Sequence, residues 1–327
     1  MAVSVVLTIL NEVGSIGHVL QDLQAQDMAA GEIIMVDGGS TDGTPERVRA
    51  CDSVRLIEAP GANISQGRNR GIEAAQHDFI AVLDAGVRLP PDWLRHITAP
   101  LRARQADVVA GFFEPAAHTP FEIALGATTL PTVRDVHPAT FLPSSRSVAF
   151  RRDTWRQVGG YPEWLDYCED LIFDLRLRAT PGVRMVFEPR ASVRFRPRPN
   201  LAAYMRQYYR YARGDGKADL WRKRHAARYA AYAYLLALLA CWLWPNARRH
   251  RTVTGGLTLL AAAGGAAYIA KPLRRLPRLW AAAPGPQRIL IVALVPVIRV
   301  AGDMAKMAGY PVGWIWRLKR KPPPWRT

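Results

Sequence analysis

Two hydrophobic periodicities alternate along the first 112 residues of the chain. Short apolar runs rich in β-branched residues predict buried strands, and the stretches between them carry apolar side chains at helical spacing. Strands that alternate with helices over such short distances indicate βαβ units, so we predict an α/β fold with a mostly parallel central sheet. The predicted strands are residues 3–9, 32–36, 54–58, 79–83, 107–112, 147–150 and 184–187, and the predicted helices are residues 16–23, 44–50, 65–75, 91–104, 121–130, 169–178 and 200–216.

Charge is distributed unevenly along the 327 residues. Lys and Arg number 44 against 27 Asp and Glu, yet residues 1–200 carry a net charge of −3 and residues 201–327 a net charge of +20. The balanced part is typical of a water-soluble domain, and 49% apolar residues exclude disorder as the default. Three scattered cysteines without a CxxC pair indicate a reducing compartment. The basic part requires an anionic partner, which is either nucleic acid or a membrane surface.

Two long stretches of the basic part contain no charged residue. Residues 229–244 and 252–270 are 16 and 19 residues long, so as helices they reach about 24 and 28 Å, close to the ~30 Å hydrocarbon core of a bilayer. A weaker third candidate, residues 289–307, is interrupted by Pro296 and carries charges. We therefore predict that residues 226–327 are a membrane-associated helical region; the alternative is a set of buried helices in a soluble domain.

The orientation of these helices is left open by the basic segments between them. Residues 246–251, 271–278 and 317–326 are all basic. Two full spans would leave the first of these segments outside, against the positive-inside rule, whereas a shallow hairpin that does not cross the bilayer would remove the conflict.

Polar residues follow three of the predicted strands. Residues 8–12 end the first strand, residues 37–44 follow the second, and Asp84 follows the strand at 79–83. Each group by itself is compatible with a helix cap or a turn. Because ligands of open parallel sheets bind beyond the carboxyl ends of the strands, three such groups at one edge predict a ligand site.

Four short motifs lie at these positions: TILNE, VDGGSTDGT, GRNRG and VLDAG, which begin at residues 8, 36, 67 and 82. Their order and spacing resemble those of the family 2 inverting glycosyltransferases, which have a nucleotide-sugar-binding GT-A fold, over about residues 1–215. The resemblance implies that Asp37 binds the base of the donor nucleotide, that the turn containing Glu12 lines the nucleoside pocket with Glu12 near the ribose, and that the region at 69–70 shapes the donor site. The implied donor-binding residues are Thr8, Asn11, Glu12, Asp37, Asn69, Arg70 and Asp84.

Asp84 matches the first acid of the Asp-x-Asp element of that family, which holds the ribose and a divalent metal, Mg²⁺ or Mn²⁺, near the diphosphate. Such hard cations prefer carboxylate and phosphate oxygens. Gly86 stands where the family has its second acid. The resemblance therefore implies a metal with Asp84 as its one carboxylate ligand in this element.

Glu169 and Asp170 resemble the Glu-Asp pair with which a helix of the family begins. The resemblance implies that Asp170 is the general base that takes the proton of the acceptor hydroxyl, while the neighbouring charge of Glu169 raises its proton affinity. The alternative is that two acids stabilise a helix N-terminus.

The segment QYYRY at 207–211 resembles the Q-x-x-R-W element of membrane-bound members, with Tyr211 in place of Trp. The resemblance implies that Gln207, Arg210 and Tyr211 lie at the donor diphosphate and the acceptor entrance. The alternative is that the arginines of this helix face lipid head groups.

Together these features predict a membrane-attached, metal-dependent inverting glycosyltransferase of the cytoplasmic membrane, whose catalytic domain faces the cytosol. The predicted catalytic domain spans residues 1–225 and includes an amphipathic interface helix at 200–216. The predicted partners are a nucleotide-sugar, in this family commonly a UDP-sugar, a lipid-linked or glycan acceptor, and membrane lipids; no nucleic acid is expected beyond the donor nucleotide. The alternatives are a non-catalytic membrane scaffold of the same family and a basic nucleic-acid-binding protein.

Overall fold

The computed structural model of the chain describes residues 2–244, 251–281 and 283–325. Its strands are β1 Val3–Ile9, β2 Glu32–Asp37, β3 Val54–Glu58, β4 Phe79–Asp84, β5 Val87–Arg88, β6 Val108–Pro115, β7 Val148–Arg151 and β8 Met185–Phe195. Its α-helices are α1 Ile16–Gln24, α2 Thr44–Arg49, α3 Ile64–Ala74, α4 Trp93–Arg102, α5 Pro120–Thr129, α6 Arg152–Gln157, α7 Glu169–Ala179, α8 Leu201–Ala218, α9 Arg222–Leu243, α10 Arg251–Leu279 and α11 Gly285–Arg320.

The eight strands form one mixed sheet in the order β3-β2-β1-β4-β7-β6-β8-β5. The pairs β1–β2, β1–β4, β2–β3 and β6–β8 are parallel, and the three other pairs are antiparallel. In the central parallel part, Thr8 lies beside Asp84 and Ile9 lies beside Asp37. The register therefore brings the three polar strand ends together at one edge.

Helices cover both faces of the sheet, which explains why β1 carries apolar residues on both of its faces. Leu7 belongs to a buried cluster that includes Ile16 of α1, whereas its neighbour Val6 belongs to a second cluster with Ile72 of α3 and Phe173 of α7. Successive side chains of a strand point to opposite faces, so a strand buried on both sides is apolar at most positions.

Two glycines let α3 approach β1 closely. A Cβ atom at Gly67 would lie 2.7 Å from Cγ2 of Thr8, and one at Gly71 would lie 2.5 Å from Cγ1 of Val6. The absence of side chains at these positions allows α3 to pack directly on the strand, which carries Arg68 and Asn69 towards the edge with the polar strand ends.

The predicted strands and helices are confirmed, with ends that differ by one to a few residues. The exception is β8, which continues to Phe195, well past the predicted end at residue 187. Its pairing with β6 shifts register between Ala110 and Phe112, and such an irregularity breaks the apolar pattern by which a strand is recognised. The two-residue β5 and the one-and-a-half-turn α6 are further elements that the pattern did not indicate.

The chain divides into two compact units. The sheet unit comprises the described residues up to 116, residues 131–196 and the described residues from 322 onward; the helical unit comprises the described residues of 117–130 and 197–321. This division differs from the boundary predicted at residue 225, because α8 packs along α11 within the helical unit. A Cβ atom at Gly309 or Gly313 of α11 would overlap the carbonyl oxygen of Tyr209 or Arg213 of α8, respectively.

Apolar side chains are exposed in the helical unit. Among the described residues, 21 of the 23 exposed large hydrophobic side chains belong to it. Two of its helices, Arg222–Leu243 and Thr252–Leu279, are long and apolar enough to cross a membrane. The first contains the predicted segment 229–244 except for residue 244, and the second contains the predicted segment 252–270. The predicted basic segment at 246–251 lies outside the described residues except for the backbone of residue 251.

Candidate active site

The loops after β1 and β2 are joined by reciprocal hydrogen bonds. The backbone N–H of Asn11 donates to Oγ of Ser40 at 2.8 Å, and the N–H of Thr41 donates to Oδ1 of Asn11 at 2.9 Å. The N–H of Glu12 donates to Oγ1 of Thr44 at 2.8 Å. Asn11 has a φ of +54°, a left-handed conformation that Asn tolerates better than most residues. The predicted residues Asn11 and Glu12 are thus held in one rigid rim with the loop after β2.

Asp37 ends β2 beneath this rim, with only 4% of its surface exposed. Its Oδ2 accepts the N–H groups of Gly39 and Ser40 at 3.0 Å each, and its Oδ1 accepts the hydroxyl of Ser40 at 2.5 Å. A carboxylate has about four lone-pair positions, so three donors leave it one further acceptor position. Asp37 is therefore fixed in orientation and can still bind one N–H group of a ligand.

Arg68 lies at the centre of the site. Its guanidinium donates to Oδ1 of Asp84 at 2.9 Å and to Oε1 of Glu169 at 2.7 Å. It lies 5.2 Å from the centre of the Tyr161 ring, and only 2% of its side chain is exposed. Burial lowers the pKa of Arg68, but the charges of Glu169 and Asp84 outweigh burial and raise it. The side chain therefore stays charged and joins the acid at the end of β4 to the acid at the start of α7.

Arg68 was not among the residues that the motifs indicated, although its position on α3 contained the signal. It lies four residues after Ile64 and four before Ile72, which places it on the buried face of the helix. Arg70, which was predicted as a donor-binding residue, lies on the exposed side of α3. Of the two arginines in GRNRG, Arg68 is thus the one that forms ion pairs with Asp84 and Glu169.

Asn69, also predicted to shape the donor site, holds a neighbouring loop in place. Its Nδ2 donates to the carbonyl oxygen of Tyr161 and to Oε1 of Glu163, both at 2.9 Å. Its Oδ1 accepts the N–H of Tyr161 at 2.9 Å and Nε1 of Trp155 at 3.3 Å. With both ends of the amide bound inside the protein, Asn69 shapes the site through this loop, and a direct contact with the donor stays a prediction.

Glu169 and Asp170 begin α7 as predicted, after Cys168 in the left-handed conformation with a φ of +65°. Glu169 is buried, and burial together with the charge of Asp170 raises its pKa to about 7 despite the opposing effect of Arg68. Asp170 is half-buried, and its Oδ1 accepts the N–H of Leu171 at 2.8 Å. The pair thus combines an acid that is buried and ion-paired with an acid that is partly exposed.

Asp174 lies one turn after Asp170 and is a further acid that the motifs did not indicate. It is 2% exposed, and its Oδ2 has no hydrogen-bond donor among the described residues. Burial, and then the charge of Asp170, raise the pKa of Asp174 well above its ordinary value.

The surroundings of Asp84 fit a divalent ion that arrives with a diphosphate better than an ion held by protein alone. No group of three or more His, Cys, Asp or Glu side chains is arranged to hold a metal in the described parts of the chain. Besides Arg68, Arg146 lies near Asp84, with Nε 3.7 Å from Oδ2. Mg²⁺ is commonly bound by one or two carboxylates together with substrate phosphates, and Asp84 supplies one such carboxylate.

The remaining predicted residues lie at two places. Thr8 is half-buried at the end of β1, where its methyl group faces Gly67. Gln207, Arg210 and Tyr211 lie on α8 of the helical unit, where Nε2 of Gln207 donates to the hydroxyl of Tyr211 at 2.8 Å and Arg210 is exposed. Their role at the donor diphosphate stays a prediction.

Comparison with known proteins gives consistent matches. Residues 4–147 match the family model described as Glycosyl transferase family 2. The succinoglycan biosynthesis protein ExoA of Rhizobium meliloti (strain 1021) is 25% identical over 227 residues, which are 65% of this chain and 68% of ExoA. The putative glycosyltransferase EpsH of Bacillus subtilis (strain 168) is 33% identical over 96 residues, which are 28% of this chain and 28% of EpsH.

Among solved structures, the mannosyltransferase PcManGT from Pyrobaculum calidifontis, in complex with GDP-Man and Mn²⁺, is similar over 98% of this chain and 88% of its own. The TM-score is 0.52 and the sequence identity 17%. At this identity the likeness concerns the fold, and the chain has the GT-A fold that the motifs predicted.

Proposed function

We propose that this chain, which belongs to glycosyl transferase family 2 through residues 4–147, is a membrane-attached enzyme that transfers a sugar with inversion. The donor is a nucleotide-sugar, of which a UDP-sugar is the first candidate, and the acceptor is a hydroxyl group of a lipid-linked molecule or a glycan. The name of ExoA supports a glycan product, and the name of EpsH supports sugar transfer. The donor and metal in the PcManGT complex support a nucleotide-sugar with a divalent ion.

The donor nucleotide lies at the rim formed by the loops after β1 and β2. The base donates an N–H group to the remaining acceptor position of Asp37, whose other lone pairs are held by its own loop. The ribose hydroxyls lie near Glu12 and Asp84, and a carboxylate that is already oriented binds a hydroxyl without losing further side-chain entropy. When bound, a divalent ion would offset charge on the diphosphate, with Asp84 as its protein ligand.

Asp170 is the general base of the reaction. Its carboxylate takes the proton of the acceptor hydroxyl, while the hydroxyl oxygen forms a bond to the anomeric carbon and the bond from that carbon to the diphosphate breaks on the opposite side. This displacement in one step inverts the configuration of the sugar.

A single observation carries this proposal: the buried guanidinium of Arg68 binds both Asp84 and Glu169, at 2.9 and 2.7 Å. The acid expected at the donor and the acid next to the expected base are thereby fixed relative to each other. Reactions between two bound groups gain rate from such fixed geometry.

The site lies in a chain that we propose is attached to the cytoplasmic membrane through α9 and α10, with the sheet unit in the cytosol. The two helices that are long and apolar enough to cross a membrane support this attachment, as do the exposed apolar side chains around them. The proposed attachment holds whether α9 and α10 each cross the bilayer or together form a shallow hairpin in it.

The first test is thermal stabilisation of the purified chain by a panel of nucleotide-sugars, with and without Mn²⁺. One donor should raise the unfolding temperature more than the free nucleotide does. If none of the donors binds, the enzyme proposal is wrong.

The second test measures transfer of a radiolabelled sugar by the variant Asp170→Asn. Loss of a general base should lower the rate by roughly 10²–10⁴-fold while donor binding is retained. The matched control is Asp153→Asn, which makes the same change at an exposed position of α6 and should leave the rate unchanged. An unchanged rate in the Asp170 variant would exclude it as the base.

A non-catalytic scaffold is the second candidate, because Gly86 stands in the place of the second metal-binding acid. This candidate requires donor binding without turnover. Retained donor binding together with no transfer by the unmodified chain, across lipid and glycan acceptors, would favour it.

A further inference from the structure

A group of charged side chains lies among the apolar helices of the helical unit. Arg228 on α9 and Tyr268 on α10 donate hydrogen bonds to Asp303 on α11, and Arg299 of α11 donates to Tyr268. Lys306 follows one turn after Asp303 on the same helix, and we call these five residues the Asp303 cluster. Ionisable groups are rare between apolar helices, and those that occur are paired or serve a function.

Asp303 inside the cluster accepts hydrogen bonds from three donors. Its Oδ1 accepts Nε of Arg228 at 2.7 Å, and its Oδ2 accepts the hydroxyl groups of Tyr268 at 2.5 Å and Tyr232 at 3.3 Å. Only 8% of the residue is exposed. The one carboxylate of the cluster thus accepts hydrogen bonds from three side chains on two other helices.

The other two cations lack a carboxylate. The ammonium group of Lys306 lies 4.7 Å from the centre of the Tyr208 ring, which is its described contact and uses none of its three N–H donors for an oxygen acceptor. Arg299 donates to the carbonyl oxygen of Tyr268 at 2.8 Å and stacks on its ring at 4.1 Å. The Nε atom of Arg299 is buried and has no acceptor among the described residues.

The nearest further acid does not neutralise this excess. Asp215 on α8 contributes to the electrostatic environment of Lys306, but it lies 3.3 Å from Nε2 of His225. With Asp215 included, three cations still face two carboxylates, before any charge on His225 is counted. Arg299 and Lys306 are half-buried. A positive charge that is partly removed from water without an anion is costly, so the cluster favours a bound anion.

The position of the cluster along the helices indicates where this anion comes from. Arg228 directly precedes the uncharged segment 229–244, and Tyr268 lies two residues before the end of the uncharged segment 252–270, which Lys271 follows. Both apolar segments therefore have one end at the cluster. If these segments enter a bilayer, the cluster lies where apolar tails give way to head groups, and basic pockets between helices at that depth bind anionic head groups.

We propose that Arg299 and Lys306 of the Asp303 cluster bind the phosphate group of an anionic membrane lipid. This inference rests on the proposed membrane attachment and is independent of the proposed sugar transfer. The lipid phosphate supplies the acceptor oxygens that Lys306 and Nε of Arg299 lack, and charge-assisted hydrogen bonds make it a stronger partner than a neutral group. Arg228 is paired with Asp303, so the negative charge of this carboxylate is offset.

The test titrates the full chain, purified in neutral detergent, with dioleoyl phosphatidic acid, and measures bound lipid by native mass spectrometry together with the unfolding temperature. We expect one phosphatidic acid per chain with a rise in unfolding temperature, and no comparable binding of dioleoyl phosphatidylcholine. Lys306→Gln and Arg299→Gln should each weaken binding tenfold or more.

The matched control is Lys319→Gln, which removes the same charge from an exposed position of the same helix and should change binding less than twofold. If Lys319→Gln weakened the binding of phosphatidic acid as much as Lys306→Gln does, binding would depend on general surface charge, and the proposal would be overturned. Competition by inorganic phosphate at the same free concentration would overturn the assignment to a lipid.

Two further measurements separate misfolding and the proposed function from this inference. The unfolding temperature of each variant without lipid identifies a variant that does not fold; Lys306→Gln should match the unmodified chain, because it removes an unpaired charge. Donor binding to the sheet unit should be the same in Lys306→Gln and in Lys319→Gln. Failure of every donor to bind, with phosphatidic acid binding intact, would reject the enzyme proposal alone.

Discussion

The two units of the chain place their polar and apolar groups in opposite ways. In the sheet unit, apolar residues fill both faces of the sheet and charges gather in ion pairs at the strand ends. In the helical unit, large apolar side chains are exposed along α9, α10 and α11, and the charges of the Asp303 cluster lie inside. The first arrangement is that of a protein in water, and the second is suited to apolar surroundings.

Both units use glycine for close packing, but against different partners. Gly67 and Gly71 admit side chains of β1, whereas Gly309 and Gly313 admit the backbone of α8. In water, burial of apolar area drives helix packing, whereas small residues that permit backbone contact are typical of helix pairs in lipid. The comparison therefore predicts that the sheet unit is sensitive to lost charges and the helical unit to added volume.

The largest effect should come from breaking the ion pairs at the strand ends. Arg68→Gln leaves Glu169 and Asp84 without their buried partner, and breaking a buried pair in this way typically costs 3–5 kcal/mol. Arg70→Gln makes the same change two residues away on the exposed side of α3 and should stay within about 0.5 kcal/mol. Urea unfolding of both variants measures the difference in the free energy of unfolding.

Donor binding adds a second readout for the same pair of variants. If Arg68 fixes the acids of the site, Arg68→Gln should also weaken nucleotide-sugar binding under conditions where it is folded, and by more than Arg70→Gln does. Equal effects of the two substitutions would contradict the central place that the structure gives to Arg68.

The fold of the sheet unit could be predicted from sequence because its central strands are buried on both faces. Continuous apolar runs such as β1 and β4 stand out between polar turns, and the helices between them show a clear periodicity. β8 was predicted too short because its later half lies beside the irregular pairing after Ala110. The place of α8 in the helical unit could not be predicted, since it depends on contacts with α11, about a hundred residues later.

The candidate site could be predicted as far as its short motifs reach. Asp37, Asp84 and Asp170 end strands or begin helices, where local sequence determines position. Arg68 and Asp174 depend instead on which face of a helix is buried, and that becomes visible only when the helix is placed on the sheet. Motifs thus identified the residues that we propose to contact a ligand more readily than the residues that hold them in place.

The next effect concerns the pH dependence of stability. Burial and the charge of Asp170 raise the pKa of Glu169 from an ordinary 4.5 to about 7. An acid whose pKa is raised by folding binds its proton more tightly in the folded state, so its favourable contribution is complete below about pH 4.5 and is lost as the pH rises through 7. Over this window the loss amounts to about 3 kcal/mol.

Glu169→Gln removes this titration and provides the measurement. The free energy of unfolding of the original chain should fall relative to that of the Gln variant between pH 5 and pH 8. Parallel curves over this range would mean that Arg68 keeps Glu169 ionised throughout.

A smaller effect tests volume in the helical unit. Gly313→Ala places a methyl group against the carbonyl oxygen of Arg213, and overpacking of this kind typically costs 1–3 kcal/mol. Gly264→Ala makes the same change on α10, where nothing lies within 4 Å, and should stabilise the helix by roughly 0.5–1 kcal/mol. Unfolding temperatures in detergent compare the two, and a stabilising Gly313→Ala would show that α8 and α11 do not pack as closely as the structure indicates.

The smallest effect concerns the single carboxylate at the end of β4. No atom lies within 4 Å of a Cβ at Gly86, and the residue is exposed, so Gly86→Asp should fold normally. It adds the second acid two residues after Asp84, and hard cations gain affinity from an added carboxylate. We expect Mn²⁺ to support donor binding at about a tenfold lower concentration, which corresponds to about 1.4 kcal/mol. Gly86→Asn has the same shape without the charge and should leave the Mn²⁺ requirement unchanged. If both substitutions changed the Mn²⁺ concentration needed for donor binding equally, the metal would not lie at Asp84. The carboxylate of Asp84 would then have Arg68 and Arg146 as its charged partners instead.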